Sequence, residues 1–137
     1  MIEIRQVTSA TADLLRDVAA EVFDEPVDPA RLARYVAAQG HLMLVALDGA
    51  LVVGQVAAVI HHHPDKPTEL YIDELGVSPA WQRQGIARRL MDSMLELGRS
   101  AGCEEVWVGT ELDNAPANAL YRRWAQGEPF LMYVWDA

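Results

Sequence analysis

The residues after Val77 have the composition of an anion-binding loop. The stretch Ser78 to Gln84 leads into Gly85, and a helical pattern of apolar residues starts directly after that glycine. The first N–H groups of a helix have no internal acceptor and lie at the positive end of its dipole, so they attract anions. Arg83 and Arg88 add positive charge there. We therefore predict an anionic ligand, although an ordinary strand-to-helix turn with solvated arginines would look similar.

The same loop lacks the two best-known nucleotide motifs. No Gly-Lys-Ser/Thr follows it, and it does not have the G-x-G-x-x-G spacing of dinucleotide-binding proteins. Gly85 has no side chain to obstruct a phosphate, and Ala87 keeps the next inward position small. The pattern argues against ATP and NAD and is compatible with a different diphosphate.

Three consecutive histidines, His61 to His63, raise the question of a metal site. Neighbouring residues on an extended loop point in different directions, and no second cluster of His or Cys completes a ligand set. We therefore predict no metal and regard the loop as a candidate lining of an acceptor pocket. The single cysteine, Cys103, has no histidine near it in sequence, so a packed thiol is expected.

Apolar periodicity predicts the elements that position these residues. A strand begins at Ile2, and two helices follow, one capped by Thr11 and extending to Val22, and one from Pro29 to about Gln39. Asp48-Gly49 suits a two-residue turn between two strands. The remaining predicted elements are a strand at 69–77, a helix at 85–101, a strand at 105–110, a helix at 116–124 and a strand at 130–135.

The predicted order is β-α-α-β-β-β-α-β-α-β, in an α/β (α+β) domain with a mixed, mostly antiparallel sheet and helices on both faces. The 137 residues are expected to form one domain. A net charge of −9 argues against nucleic-acid binding. No segment is apolar enough to span a membrane, and no signal peptide is apparent, so we expect a cytoplasmic protein.

Two sequence motifs resemble those of the GNAT acetyltransferases. The first is similar to the family signature Q/R-x-x-G-x-G/A and consists of Gln82, Arg83, Gln84, Gly85, Ile86 and Ala87. The second is similar to N-x-x-A-x-x-L-Y, and it runs from Asn114 through Ala117 to Tyr121. The residues after Tyr121 depart from the family's usual L-Y-x-K-x-G-F, which affects the C-terminal edge and any dimer contact built from it.

The resemblance implies acetyl-CoA as cosubstrate and an amine as acceptor. Backbone N–H groups from Arg83 to Arg88 would bind the diphosphate. The pantetheine arm would lie along Leu75, Gly76 and Val77, where two central strands splay apart, and Asn114 would bind the pantetheine region, with Ala117 beside it. The family also suggests a possible homodimer.

Acetyl transfer requires a base for the amine, a donor for the carbonyl oxygen and an acid for the leaving thiolate. By resemblance Tyr121 is the acid, and an N–H near Gly76 or Val77 is the oxyanion donor. Asp73 and Glu74 are candidate bases; side chains alternate along a strand, so only one should face the thioester. Related sequences favour Glu74, while Asp73, a water chain or an amine that arrives neutral remain alternatives.

The acceptor is expected to be a small, cationic primary amine. The pattern at 71–78 and 113–121 looks most like aminoglycoside 3-N-acetyltransferases, and a polyamine is a close alternative. Acidic residues between the first two predicted helices would attract such a substrate; they are Glu21, Asp24, Glu25 and Asp28. A protein or peptide amine, or a non-catalytic acyl-CoA-binding regulatory module, are the other hypotheses.

Overall fold

Five β-strands form where the sequence has short apolar blocks. They are β1 (Ile2–Gln6), β2 (His41–Asp48), β3 (Leu51–His61), β4 (Glu69–Val77) and β5 (Glu105–Val108). The computed structural model, which describes residues 1–137, places them in one sheet in the order β1-β2-β3-β4-β5. The first three pairings are antiparallel, and β5 is parallel to β4. This is the mixed, mostly antiparallel sheet that the sequence predicts.

Three α-helices accompany the sheet: α1 (Pro29–Ala37), α2 (Ile86–Ser100) and α3 (Ala115–Tyr121). The Asp28 carboxylate caps α1 by accepting a hydrogen bond from the Arg31 N–H at 2.8 Å, and Pro29 occupies the first turn, where an N–H would have no partner. Short 3₁₀ helices lie at Ala12–Arg16 and Pro79–Trp81. None of the helices combines the length and the apolar character that crossing a bilayer requires.

Helices cover both faces of the sheet. Helix α2 packs on one face through Ile86, Leu90 and Met94, which are buried against side chains of β3 and β4. Helix α1 and the first 3₁₀ helix cover the opposite face around a second buried cluster. Burying one such side chain contributes about 1.5–3 kcal/mol. The α2 face therefore holds the start of this helix firmly against the end of β4.

The helix predicted from Thr11 to Val22 is mostly absent. Only Ala12–Arg16 is helical, as a 3₁₀ helix, because the next residues pair with β3 instead. The Ala19 N–H donates to the Val52 carbonyl at 2.8 Å, and the Val52 N–H donates to the Asp17 carbonyl at 2.9 Å. The Thr11 side chain does not cap the helix.

The strand predicted at 130–135 is also absent. No backbone hydrogen bond involves any residue after Ala125, and all six apolar side chains from Phe130 to Trp135 are exposed. A strand forms only where a neighbouring edge satisfies its N–H and C=O groups, and here no other segment pairs with this one. Helix α3 similarly ends at Tyr121 and does not reach Trp124.

Candidate active site

Every backbone N–H from Arg83 to Arg88 lacks a hydrogen-bond acceptor in the protein. The first helical donor is the Arg89 N–H, which donates to the Gly85 carbonyl at 3.1 Å. These unpaired N–H groups lie at the N-terminus of the fifteen-residue helix α2, at the positive end of its dipole. The predicted loop therefore presents the donors that an anionic ligand requires.

Two residues with positive φ shape this loop. Gly85 has a φ of +77°, and Arg83 has a φ of +63°. The left-handed region costs a residue with a Cβ about 1–2 kcal/mol, so Arg83 holds a strained conformation of the kind found at ligand sites. A Cβ added to Gly85 would meet no protein atom within 4 Å, so the space beside it is open. The Gln82 side chain donates to the Val77 carbonyl at 3.0 Å and ties the loop to β4.

The three arginines of the loop and helix differ in their partners. Arg89 donates to the Ile2 carbonyl at 2.9 Å and thus has a structural contact. Arg88 lies 3.8 Å from the Asp92 carboxylate across one helical turn, and both side chains are exposed, so this pair holds Arg88 only weakly. Arg83 has no ion-pair partner in the protein. It is the cation most available to a bound anion.

Strands β4 and β5 separate midway along β4. Their pairing runs from Glu69 opposite Glu105 to Ile72 opposite Val108 and then stops, whereas β4 continues to Val77. The second half of β4 therefore has an open edge on this side, and Leu75, Gly76 and Val77 lie along it, half-buried. An open strand edge can pair with an extended amide-containing ligand. The predicted splay is confirmed.

A β-bulge changes which way the acidic side chains of β4 face. Glu74 pairs with Ala57 and Ile72 pairs with Ala58, so the residue between them, Asp73, is an extra residue in the strand. Leu70 and Ile72 face α2 before the bulge, and Leu75 and Val77 pack against the same cluster after it. Asp73 and Glu74 both point to the other face. The expectation that these two carboxylates lie on opposite faces is wrong, because a bulge interrupts the alternation.

Two carboxyl groups and one phenol on this face have raised pKa values. Burial raises the pKa of Glu74, and the charges of Asp73 and Asp24 raise it further. Burial also raises the pKa of Asp73, against the lowering effect of a backbone hydrogen bond and of His41. Burial together with the charges of Asp73 and Glu74 raises the pKa of Tyr35 to about 12. The face opposite α2 thus carries a concentration of negative charge beside the open edge.

A close backbone contact places the acidic segment there. A Cβ on Gly76 would lie 2.6 Å from the Val22 carbonyl oxygen, so only glycine allows the chain at Val22 to cross β4 at this point. The Gln55 side chain donates to the same oxygen at 3.3 Å. The crossing brings Asp24 close enough to Glu74 for its charge to act on that carboxyl group.

Tyr121 lies at the C-terminal end of α3. Its half-buried ring packs against the same core cluster as Leu75 and Val77, so it approaches the open edge from the α2 side. The hydroxyl has no hydrogen-bond partner in the protein, and burial raises the pKa of Tyr121. This phenol stays protonated at neutral pH and is free to donate to a ligand.

Asn114 lies directly before α3, where its side chain also has a structural role. Its Oδ1 accepts a hydrogen bond from the Ala117 N–H at 3.2 Å and caps α3, which leaves its amide N–H groups for a ligand. Asn118, which sequence reasoning missed, donates to the carbonyls of Glu111 and Asn114 at 3.1 and 2.8 Å. It holds the turn before α3 in place. The sequence indicates this contact only through the spacing of four residues between Asn114 and Asn118, which brings two helical positions to the same face.

An aromatic pair, also missed, lies where the two strands begin to separate. The rings of Tyr71 and Trp107 stack with centroids 4.0 Å apart at an interplanar angle of 18°, and these residues are opposite each other in the β4–β5 register. Cross-strand pairs become visible only when the register is known. The stack and the acidic side chains together form a surface suited to a cation.

Known proteins are similar to this chain in sequence and in fold. The sequence profile of the Acetyltransferase (GNAT) family matches residues 8–125. Over 123 residues the chain is 32% identical to the N-alpha-acetyltransferase RimI of Mycobacterium tuberculosis, a match covering 88% of this chain and 75% of that protein. The chain therefore belongs to the GNAT acetyltransferase family and is an N-acetyltransferase that uses acetyl-CoA as cosubstrate. The family resemblance seen in the two motifs is confirmed.

The names of other similar proteins refer to different acetyl acceptors. A mycothiol acetyltransferase of Beutenbergia cavernae is 40% identical over 75 residues, which are 54% of this chain and 23% of that protein. An aminoglycoside acetyltransferase from an uncultured soil metagenomic sample superposes with a TM-score of 0.80 at 24% identity, covering 100% of this chain and 99% of that one. The aminoglycoside acetyltransferase AAC(6′)-Iy gives 0.81 at 19% identity with the same coverage. At these identities the two structures establish the shared fold, and the acceptor stays open.

Proposed function

We propose that this enzyme acetylates a primary amine of a small cationic acceptor, either aminoglycoside-like or a polyamine. The observation that carries the proposal is the grouping of Asp24, Asp73 and Glu74 on one face of the sheet beside the open edge of β4. Carboxylates attract a polycation over several ångströms, and they do so less as salt is added. The stacked Tyr71 and Trp107 rings offer a neighbouring surface for ammonium groups.

For the cosubstrate, we propose that the diphosphate of acetyl-CoA binds the unpaired N–H groups of the loop from Gln82 through Arg88. Arg83 supplies an unpaired positive charge at this point. The pantetheine arm lies along Leu75, Gly76 and Val77, because that edge of β4 has no strand partner. Asn114 donates to the pantetheine region from the start of α3, and Ala117 leaves room beside it.

The proposed transfer uses the two sides of the open edge. The Glu74 carboxylate takes a proton from the acceptor ammonium, and the amine nitrogen forms a bond to the thioester carbon. An N–H near Gly76 or Val77 donates to the developing oxyanion. The C–S bond then breaks, and the Tyr121 phenol gives its proton to the departing thiolate. The acylated nitrogen still carries one extra proton; it passes this proton through water to the Tyr121 phenolate, which leaves a neutral amide. Asp73 faces the same way as Glu74 and is the alternative base.

The second candidate acceptor is the α-amine of a protein or peptide. It is favoured by the identity to RimI, which extends over 88% of this chain. A peptide N-terminus carries one positive charge, whereas an aminoglycoside or a polyamine carries several, so the two candidates differ in how strongly salt should weaken substrate binding.

An acceptor panel tests the proposed function. Acetyl-CoA turnover is measured with aminoglycosides, polyamines and peptide amines at low and high salt. We expect turnover with a polycation and a KM for it that rises with salt. The matched variant Tyr121→Phe should lower kcat by about 10²–10⁴-fold with unchanged affinity for acetyl-CoA. Turnover with peptides alone would contradict the cationic acceptor, and coenzyme binding without turnover of any amine would indicate a regulatory module.

We further propose that residues 1–137 act as one domain in the cytoplasm, where the buried free thiol of Cys103 would stay reduced. We also propose a homodimer. The segment from Phe130 to Trp135 exposes its apolar side chains, and the outer edge of β5 has no partner strand. Pairing of this segment with β5 of a second copy would cover both.

A further inference from the structure

Three side chains converge at the turn between β3 and β4. His61 ends β3 and lies directly opposite Glu69, which begins β4, and His63 is in the connecting loop. One donor atom from each residue, an imidazole nitrogen or a carboxylate oxygen, lies within 4.8 Å of the other two. The ring centroids of His61 and His63 are 4.2 Å apart. The expectation that the histidines diverge is wrong for this pair, because residues two apart on an extended chain share a side.

The middle histidine behaves differently. His62 is exposed, and its Nδ1 lies 3.3 Å from the Thr68 hydroxyl. The group of possible metal ligands thus consists of the two outer histidines, His61 and His63, and the Glu69 carboxylate from the paired strand. Glu69 is not recognisable as a ligand from the sequence, because only the pairing of β3 with β4 places it opposite His61.

The Nε2 of His63 is buried and has no hydrogen-bond partner. It lies 3.0 Å from the Glu69 Oε1, but the two atoms do not have the geometry of a hydrogen bond. Buried polar atoms are nearly always satisfied, so an exception calls for an explanation. Two ligands that bind one ion approach each other closely while both lone pairs point at the ion, and this arrangement accounts for the contact. A simple ion pair between His63 and Glu69 accounts for the 3.0 Å distance but not for the missing hydrogen bond.

We propose that His61, His63 and Glu69 bind one divalent transition-metal ion, with Zn²⁺ as the expected occupant. Zinc accepts imidazole nitrogen and carboxylate oxygen at about 2.0–2.2 Å, which separates tetrahedral ligand atoms by roughly 3.4 Å. The His63 and Glu69 donors are already 3.0 Å apart, and all three donors lie within 4.8 Å of one another, so binding would require side-chain rotation to close the wider gaps. The exposure of His61 leaves the fourth position to water. Since Glu69 precedes the open edge of β4, this ion would join β3 to β4 and take no part in acetyl transfer.

The test is Zn²⁺ binding to tag-free, chelator-treated protein, measured by calorimetry, by thermal unfolding and by the visible absorption of a Co²⁺ complex. We expect one ion per chain and a Tm higher by at least about 5 °C at 100-fold excess over Kd. Loss of a partner that only orients a ligand costs about 10–100-fold in metal affinity, so His63→Ala and Glu69→Gln should each weaken binding at least 10-fold.

His62→Ala is the matched control, because it removes an imidazole from the same loop but not from the ligand set; its Zn²⁺ affinity should equal that of the parent. Unchanged affinity for acetyl-CoA shows that each variant is folded. Lys66→Met should bind Zn²⁺ more tightly, since the Lys66 ammonium lies 4.0 Å from the Glu69 carboxylate and repels a cation. Absence of stoichiometric binding, or an equal loss in His62→Ala, would overturn the proposal.

Discussion

At the scale of single residues, the bulge at Asp73 has the largest consequence for chemistry. It turns two adjacent carboxylates to one face, where burial raises the pKa of each and the charge of Asp73 raises the pKa of Glu74 further. A carboxyl group whose pKa moves towards neutrality is a better proton acceptor than an ordinary one. Because the pKa of each is raised by folding, ionisation of Asp73 and Glu74 lowers the stability of the folded state.

The first residue-scale prediction concerns Glu74→Gln. Because its pKa is higher in the folded protein than in the unfolded chain, the folded state holds this proton more tightly. Ionisation of Glu74 therefore destabilises the fold as pH rises from the ordinary pKa to the folded pKa, and the penalty persists above it. The variant should have a higher Tm than the parent at pH 7 and the same Tm below the ordinary pKa of glutamate.

The same variant tests the proposed base. Glu74→Gln should lower kcat by about 10²–10⁴-fold and remove the acidic limb of the kcat/KM profile that this group sets. Asp73→Asn is the matched control, since it removes the neighbouring charge but should retain most of kcat. A larger loss in Asp73→Asn than in Glu74→Gln would assign the base to Asp73.

At the scale of elements, the candidate active site consists of unpaired backbone groups at the start of α2 and along the edge of β4 that β5 does not cover. The N-terminus of α2 leaves its N–H groups without acceptors, and β4 outlasts its pairing with β5 by five residues, Asp73 to Val77. Neither feature depends on a reactive side chain. Both depend on the core between α2 and the sheet, which keeps the helix start and the strand edge in fixed relation.

Gly85→Ala is predicted to weaken coenzyme binding, and Gly49→Ala is its control. Both glycines have positive φ, and a Cβ at either position meets no protein atom within 4 Å. Each substitution should therefore cost a similar 1–2 kcal/mol or so of stability through backbone strain, seen in denaturant unfolding. Only Gly85→Ala should raise the Kd for acetyl-CoA in calorimetry. An equal Kd in both variants would argue against the loop as the diphosphate site.

At the scale of the whole molecule, charge and exposed apolar surface act against each other. The chain carries a net charge of −9, which opposes self-association. Its C-terminal segment, however, exposes six apolar residues in succession, with exposed fractions from 64% for Phe130 to 85% for Val134. An uninterrupted apolar surface of this kind is typical of an interface.

The proposed homodimer follows from that balance. Light scattering should show a dimer whose dissociation constant falls as salt is added, because salt screens the repulsion between two acidic copies. Val134→Asp should raise the dissociation constant at least about 10-fold, as expected when a charge is buried at an interface. The control is Leu112→Asp, which places the same charge at another exposed apolar residue outside the segment. A monomeric parent protein at all salt concentrations would refute the dimer.

Much of the fold and the geometry of the loop before α2 could be predicted from sequence because their signals are local. Helical periodicity after Gly85 locates α2, Asp48-Gly49 locates a hairpin, and the unpaired N–H groups follow directly from where a helix begins. The motif from Gln82 to Ala87 then identified the family. Each of these features is decided by residues within a few positions of one another.

Other features were decided only by the tertiary structure, since they depend on pairing between distant segments. The bulge at Asp73 exists because β4 pairs with β3 on both sides of it. This pairing interrupts the alternation of side chains between the two faces, which an isolated strand would keep. Pairing with Val52 displaces the helix expected up to Val22, and lack of a partner leaves the residues from Phe130 onward without a strand. Periodicity reports which residues can pair, whereas hydrogen bonds across the sheet determine which of them do.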